Sequence, residues 1–164
     1  MDIIRQDVLD LISKMRVLTL ATCSNGGVWT APVYYVYDNK RFYFFSNPDS
    51  KHIKDSIRIG TFEDRYNEAV APMQVAASIF SDGSDSKEIK GLQMLGHIKS
   101  VSDKKDALLK AMEYIKKFKI NVNQKDILSF FKQQYRARLY YFVPETLYFM
   151  DNSIKFGFRE RIEL

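Results

Sequence analysis

Residues 17–37 read VLTLATCSNGGVWTAPVYYVY and contain no charged side chain. A run of 21 uncharged residues is long enough to cross a bilayer as a helix. Its interior argues against that. Ser24-Asn25-Gly26-Gly27 is a turn signal in the middle of the run, and Pro32 follows. Two β-prone stretches around such a turn form a hairpin, with strands at 16–23 and 28–37. The chain is therefore read as having no membrane partner.

The pattern on either side extends this hairpin into a sheet. Upstream, Ile4, Val8, Leu11, Ile12 and Met15 follow helical spacing, predicting an amphipathic helix over 3–15. Downstream, Asp38-Asn39-Lys40 turns the chain into a third strand at 41–46, and Ile53 and Ile57 suggest a short helix over 49–58. Residues 59–70 are ambiguous. Residues 73–80 read as a strand, Ser81–Ser86 as a polar loop, and 88–101 as a strand. Gly91 and Gly96 interrupt that last strand, as glycines do at bulges or where another backbone comes close. Helices follow at 103–119 and 124–135, then strands at 138–143 and 146–150 joined at Pro144-Glu145. Asp151-Asn152 is a turn, with room for a last strand after it. Six to seven strands with short connections and three or four helices define an α+β fold, an antiparallel barrel with flanking helices. Residues 1–164 form a single domain.

Composition narrows the function classes. One cysteine, Cys23, rules out an internal disulfide, and with two histidines, His52 and His97, leaves little for a metal site. Both points fit a reducing, cytoplasmic setting. Asp2, Arg5, Asp7 and Asp10 break up any secretory signal. The net charge of +5 owes much to Lys104, Lys105, Lys110, Lys116, Lys117 and Lys119. We read these as a solvated helix face rather than a nucleic-acid surface. His97 is read as a strand-face histidine, Cys23 as structural, and Asp82, Asp85 and Glu88 as a solvated loop. Phe118, Phe130 and Phe131 are core or dimer contacts.

The stretch with chemical content is 42–53, FYFFSNPDSKHI. An aromatic strand runs into a helix start, where Asn47 or Ser50 can cap and Pro48 suits the first helical position. Free amides there, hydroxyls from Ser46 and Ser50, the Lys51 ammonium and His52 together suit a phosphate. Tyr34, Tyr35, Tyr43, Phe44 and Phe45 could wall the adjoining space, pointing to a phosphorylated heteroaromatic ligand.

Three stretches carry a family resemblance: V17–T22 with V28–D38; F42–N47 with S50–H52; and K90–V101. In these the chain resembles the flavin-binding split-barrel superfamily that includes pyridoxamine 5′-phosphate oxidase. The ending DNSIKFGF at 151–158 is similar to an uncharacterised bacterial subgroup of it. The resemblance implies a split barrel, a homodimer and FMN in a groove between the subunits. Carried over by position, Ser50 and Lys51 would hold the phosphate, with His52 at a second basic position. Ser46 and Phe45 would border the ribityl chain and the ring. Thr30, Pro32 and Val33 would present backbone to the isoalloxazine edge, and Gln93 matches a flavin-contacting glutamine.

The chain also departs from the oxidase. Thr30 and Tyr35 stand where the oxidase has basic residues, and its C-terminal Trp and Arg-Leu-His-Asp-Arg run is absent. Pyridoxamine phosphate oxidation is not expected. The implied function is FMN-dependent oxidoreduction of an unidentified small molecule, with no catalytic residue assignable. The alternatives are a deazaflavin or haem as cofactor, a non-enzymatic flavin or haem sensor, or a basic interaction module.

Overall fold

A computed structural model describes residues 2–57, 73–122 and 127–164. The elements run α1 (Asp2–Lys14), β1 (Val17–Ser24), β2 (Gly27–Tyr34), β3 (Val36–Asp38), β4 (Arg41–Ser46), α2 (Lys51–Ser56), β5 (Val75–Ser81), β6 (Lys90–Ser100), α3 (Lys104–Phe118), α4 (Ile127–Tyr135), β7 (Arg138–Asp151) and β8 (Arg159–Ile162). The strands form one antiparallel sheet in the order β2-β1-β5-β6-β7-β4-β3, with β8 on β7.

The two ends of that path, β2 and β3, are neighbours in sequence, separated only by Tyr35. The sheet is therefore tied end to end through the chain itself, which curls it into a barrel. The single strand expected over 28–37 is split here because one residue changes partner, from β1 to β4. Tyr35 anchors the switch. Its N–H donates to the Arg16 carbonyl at 3.3 Å, and its hydroxyl donates to the Ile12 carbonyl at 2.7 Å. The ring is wholly buried, and burial pushes the phenol pKa well up. Both predicted hairpin turns are present. Gly27 takes φ +95°, and Asn39 and Lys40 are both left-handed, as a two-residue hairpin loop matching the strand twist requires.

Inward-facing side chains alternate along the strands and fill the barrel. Phe42, Phe44, Phe142 and Phe149 are fully buried there, and Val8, Leu11 and Ile12 of α1 pack against the same core. A second cluster lies outside the barrel wall. Tyr43, Phe45 and Leu139 point outward from β4 and β7 and meet Ala107, Ala111 and Tyr114 of α3 and Phe131 of α4. Phe45 stacks on Phe131 with centroids 3.8 Å apart.

Three expectations change, and two stretches are not described. The two strands expected at 138–143 and 146–150 are one, β7, because the Pro144-Glu145 step is absorbed as a bulge: Leu95 pairs with Thr146, Gly96 with Pro144, and Glu145 is the extra residue. Helix α2 is shorter than 49–58. Ser50 is its N-cap, while Asn47 and Pro48 belong to the preceding turn, where Asn47 Oδ1 accepts from the Asp49 N–H at 2.8 Å. Residues 58–72 and 123–126, with the start of the helix expected at 124, lie outside the described residues. Finally, the lysines of α3 are not all solvated. Lys110 is 6% exposed and paired with Asp38 and Glu113 at 2.7 and 2.8 Å. Lys117 donates to the Met15 carbonyl at 3.1 Å and lies 4.3 Å from the Tyr35 ring centre; burial, aided by Arg16, brings its pKa down to about 8. These two lysines pin α3 to the barrel. Among the described residues, no helix is long and apolar enough to cross a membrane.

Candidate functional site

The end of β4 and the start of α2 gather three of the expected site residues. Ser46 lies two positions beyond Phe44 on the inward side of β4 and is nearly buried. Its Oγ is 3.1 Å from Ser50 Oγ and 2.8 Å from His52 Nε2, and Ser50 Oγ donates to the Asn47 carbonyl at 2.7 Å. One consistent ordering runs from the His52 Nε2–H to Ser46, from Ser46 to Ser50, and from Ser50 to the Asn47 carbonyl, since each hydroxyl carries one proton. Burial lowers the His52 pKa against an opposing pull from Asp55, so the imidazole is neutral at pH 7.

Lys51 leaves this cluster. Its Nζ donates to Asp55 at 2.7 Å and to Ser24 Oγ at 3.3 Å, beside the β1–β2 turn. A Cβ on Gly26 would sit 3.5 Å from that nitrogen. Thr22 Oγ1 donates to the same Asp55 oxygen at 3.4 Å. The Lys51 hydrogen bond, with smaller help from Ser24 and Thr22, holds the Asp55 carboxyl below its usual range despite desolvation. Sequence reasoning missed Asp55. The signal was there, because Lys51 and Asp55 are four apart on a helix, the spacing that pairs side chains. Among the described residues, Asp55 and Ser24 occupy two of the three N–H donors of Lys51.

Ser46 also borders a cleft of about 480 Å³, lined by Tyr34, Phe45, Tyr114, Phe118, Phe131 and Tyr135, with Asn47 at its edge. That volume is in the range of small-molecule sites. A larger groove of about 1010 Å³ runs along α3 and α4, past Leu108, Leu109 and Met112, but none of the expected site residues lines it.

The remaining site residues lie elsewhere. Thr30, Pro32 and Gln93 are exposed on the outer face of the sheet. The register there gives two rows across five strands: Thr30-Ala21-Ala76-Leu95-Thr146 and Pro32-Thr19-Ser78-Gln93-Tyr148. Val17 and Tyr34, and Cys23 and Val28, continue the same face on β1 and β2, and Phe80 continues it on β5. No residue of these rows is charged, yet Val28 and Phe80 are 73% and 66% exposed. Pro32 and Gln93 stand three strand spacings apart, about 14 Å. The Val33 side chain points into the core, leaving only its backbone to contact a ligand.

His97, on β6, meets Glu145 of the bulge, Nδ1 to Oε1 at 2.9 Å. Cys23 is exposed. Asp85 accepts from the Lys87 N–H, and Glu88 accepts from Ser84. Among the described residues, no group of His, Cys, Asp and Glu could hold a metal ion.

No protein-family model matches the chain, and no curated protein matches it. Solved structures do. An FAD-binding protein from Mesorhizobium loti is 17% identical with a TM-score of 0.55, covering 87% of this chain and 90% of its own. The heme storage protein HutZ from Vibrio cholerae is 14% identical, TM-score 0.61, covering 87% and 91%. A protein from Listeria innocua described as a pyridoxamine 5′-phosphate oxidase homologue is 14% identical, TM-score 0.60, covering 90% and 98%. At these identities the likeness establishes architecture alone: the chain has an antiparallel split-barrel fold.

Proposed function

We propose that the protein binds FMN and acts as a flavin-dependent oxidoreductase on a small molecule, as a homodimer paired through the uncharged outer face. The observation that carries the cofactor reading is the double role of Ser46, which belongs both to the hydroxyl–imidazole cluster and to the aromatic cleft. A ligand with a polar chain and a flat ring system matches that pairing. The likeness to an FAD-binding protein supports it. The uncharged face supports the dimer reading, and a second subunit seated on it would cover Thr30, Pro32 and Gln93.

The residues present fit the group. Ser46 would offer its hydroxyl oxygen to the ribityl hydroxyls, Ser50 would turn its O–H from the Asn47 carbonyl to the phosphate, Lys51 has one N–H donor beyond its two described partners, and Phe45 and Tyr34 offer ring faces. When bound, the flavin supplies hydride transfer. The chain's own residues orient it, and the aromatic walls keep water from the ring. No described side chain is assigned as acid or base.

Protein purified without added cofactor is expected to be yellow, with the absorption of bound flavin, and to bleach with NADH or NADPH. A protein that is colourless and gains no thermal stability with FMN would overturn the flavin reading. A haem spectrum would move the assignment to haem. A flavin that no reductant or substrate turns over would make the protein a carrier. Lys51→Ala is expected to weaken FMN about tenfold, one charge-assisted hydrogen bond, and riboflavin by less than twofold. Equal loss for both ligands, measured by fluorescence titration, would show that Lys51 does not touch phosphate.

A further inference from the structure

The charges around the expected phosphate position cancel. Lys51 is paired with Asp55, and Lys54 with Asp49 at 3.1 Å, while His52 is held neutral by burial. The Asp55 side chain is only 10% exposed, and its carboxylate takes hydrogen bonds from two elements, α2 through Lys51 and β1 through Thr22. It is a built part of the site, not a surface acid that drifts away when a ligand arrives. A dianion approaching Lys51 meets an ammonium already neutralised by a carboxylate.

From this arrangement we infer that Asp55 is a specificity-determining residue, which limits how strongly the site prefers a phosphorylated flavin over its unphosphorylated form. The inference rests on the flavin reading above. It makes Asp55 the counterweight to Lys51. Lys51 favours the phosphate through its third N–H, and Asp55 opposes it through charge repulsion that a partly buried site screens weakly. The wild-type preference for FMN over riboflavin is then modest, and the ring and ribityl chain supply most of the affinity.

The test is the ratio of riboflavin to FMN dissociation constants in the wild type, Asp55→Asn and Asp55→Glu. Asparagine keeps an oxygen that accepts from Lys51 and Thr22, so the link from α2 to β1 survives while the negative charge goes. Asp55→Asn is expected to tighten FMN about tenfold, with riboflavin changed less than twofold, and the gain should change little as salt rises. Asp55→Glu keeps the charge and should keep the wild-type ratio. Unaltered riboflavin affinity serves as the check on folding, read together with the melting temperature. If Asp55→Asn moves both ligands equally, or neither, the inference is overturned while the flavin reading stands. If Asp55→Glu shifts the ratio as far as Asp55→Asn does, shape rather than charge is responsible, and the inference is again overturned. If neither flavin binds the wild type or any variant, the flavin reading itself has failed and the inference with it.

Discussion

Ala76→Glu is expected to split the proposed dimer into monomers and to take the proposed flavin binding with it. Ala76 is exposed near the middle of the uncharged outer face, with Ala21 of β1 on one side and Leu95 of β6 on the other. In a lone chain the new carboxylate points into water and leaves the barrel core untouched, so the monomer should fold and melt close to the wild type. In a dimer paired through this face, the carboxylate is buried without a partner. An unpaired buried charge costs about 3–5 kcal/mol, which weakens association by roughly 10²–10⁴-fold. Light scattering coupled to size exclusion reads the oligomeric state directly. Lys99→Glu is the control. It changes charge on β6 at an exposed position outside the uncharged rows, and it should leave the dimer intact. A dimeric Ala76→Glu protein would mean that the copies pair elsewhere or not at all through this face. A monomer that still binds FMN as tightly as the wild type would place the cofactor within one chain.

The logic of that face also shows where sequence reading stops. Outward positions on β1, β2, β5 and β6 are mostly Val, Thr, Ala, Pro, Leu, Phe and Tyr, with Cys23, Ser78 and Gln93 among them, so most are residue types that also fill a core. Alternation reveals that a strand has two faces, but when both are uncharged it does not say which one meets a second chain. The hairpin at 17–37 was legible because its turn residues are chemically special. The closure at Tyr35 was harder to see. Its trace is that Tyr35 and Val36 are buried in succession, a break of the two-residue period that a Tyr-Tyr-Val-Tyr run hides. On α3 the pattern is inverted: Lys110 and Lys117, seven apart and so on one face, turn inward to acids and rings, while Leu109 and Met112 are about half exposed. Polarity alone misplaced these two lysines, while Lys104, Lys105, Lys116 and Lys119 are exposed as expected, because Asp38 and Tyr35, which receive the inward pair, come from a distant part of the chain.

The site was legible in part for a related reason. Ser46, Ser50 and His52 do converge. Lys51 and His52 are adjacent on a helix, however, and successive helical residues point about 100° apart, so the two side chains go to different places. Lys51 finds Asp55 one turn on, and Ser24 on a strand that helix periodicity says nothing about. That separation is the physical origin of the counterweight proposed for Asp55. A single cluster of Ser46, Ser50, Lys51 and His52 would have left the ammonium unopposed.

Gly96→Ala is expected to produce the largest loss of stability of any single methyl added to the barrel wall. Strand β6 pairs along its length with β7, and their register shifts between Leu95 and Gly96, where Glu145 is the additional residue. The bulge brings the β7 backbone onto Gly96. A Cβ there would overlap the Val143 carbonyl oxygen and lie 2.9 Å from Pro144 Cα. Both are backbone atoms of the facing strand, so no side-chain rotation relieves the clash, and the strands must part at the position that aims Glu145 at His97. Overpacking typically costs about 1–3 kcal/mol. With backbone on the opposing side the upper end applies, and for a chain of this size that lowers the melting temperature by roughly 6–12 °C. Gly91→Ala is the comparison. Its Cβ would stand 3.2 Å from the Ile79 carbonyl oxygen, tight but open to a shift of a few tenths of an ångström, and its loss should be less than half as large. Paired urea and thermal melts of the two variants decide the matter. Equal, small losses would mean that β6 and β7 slide past one another freely at the bulge, and that the close approach at Gly96 does not hold their register.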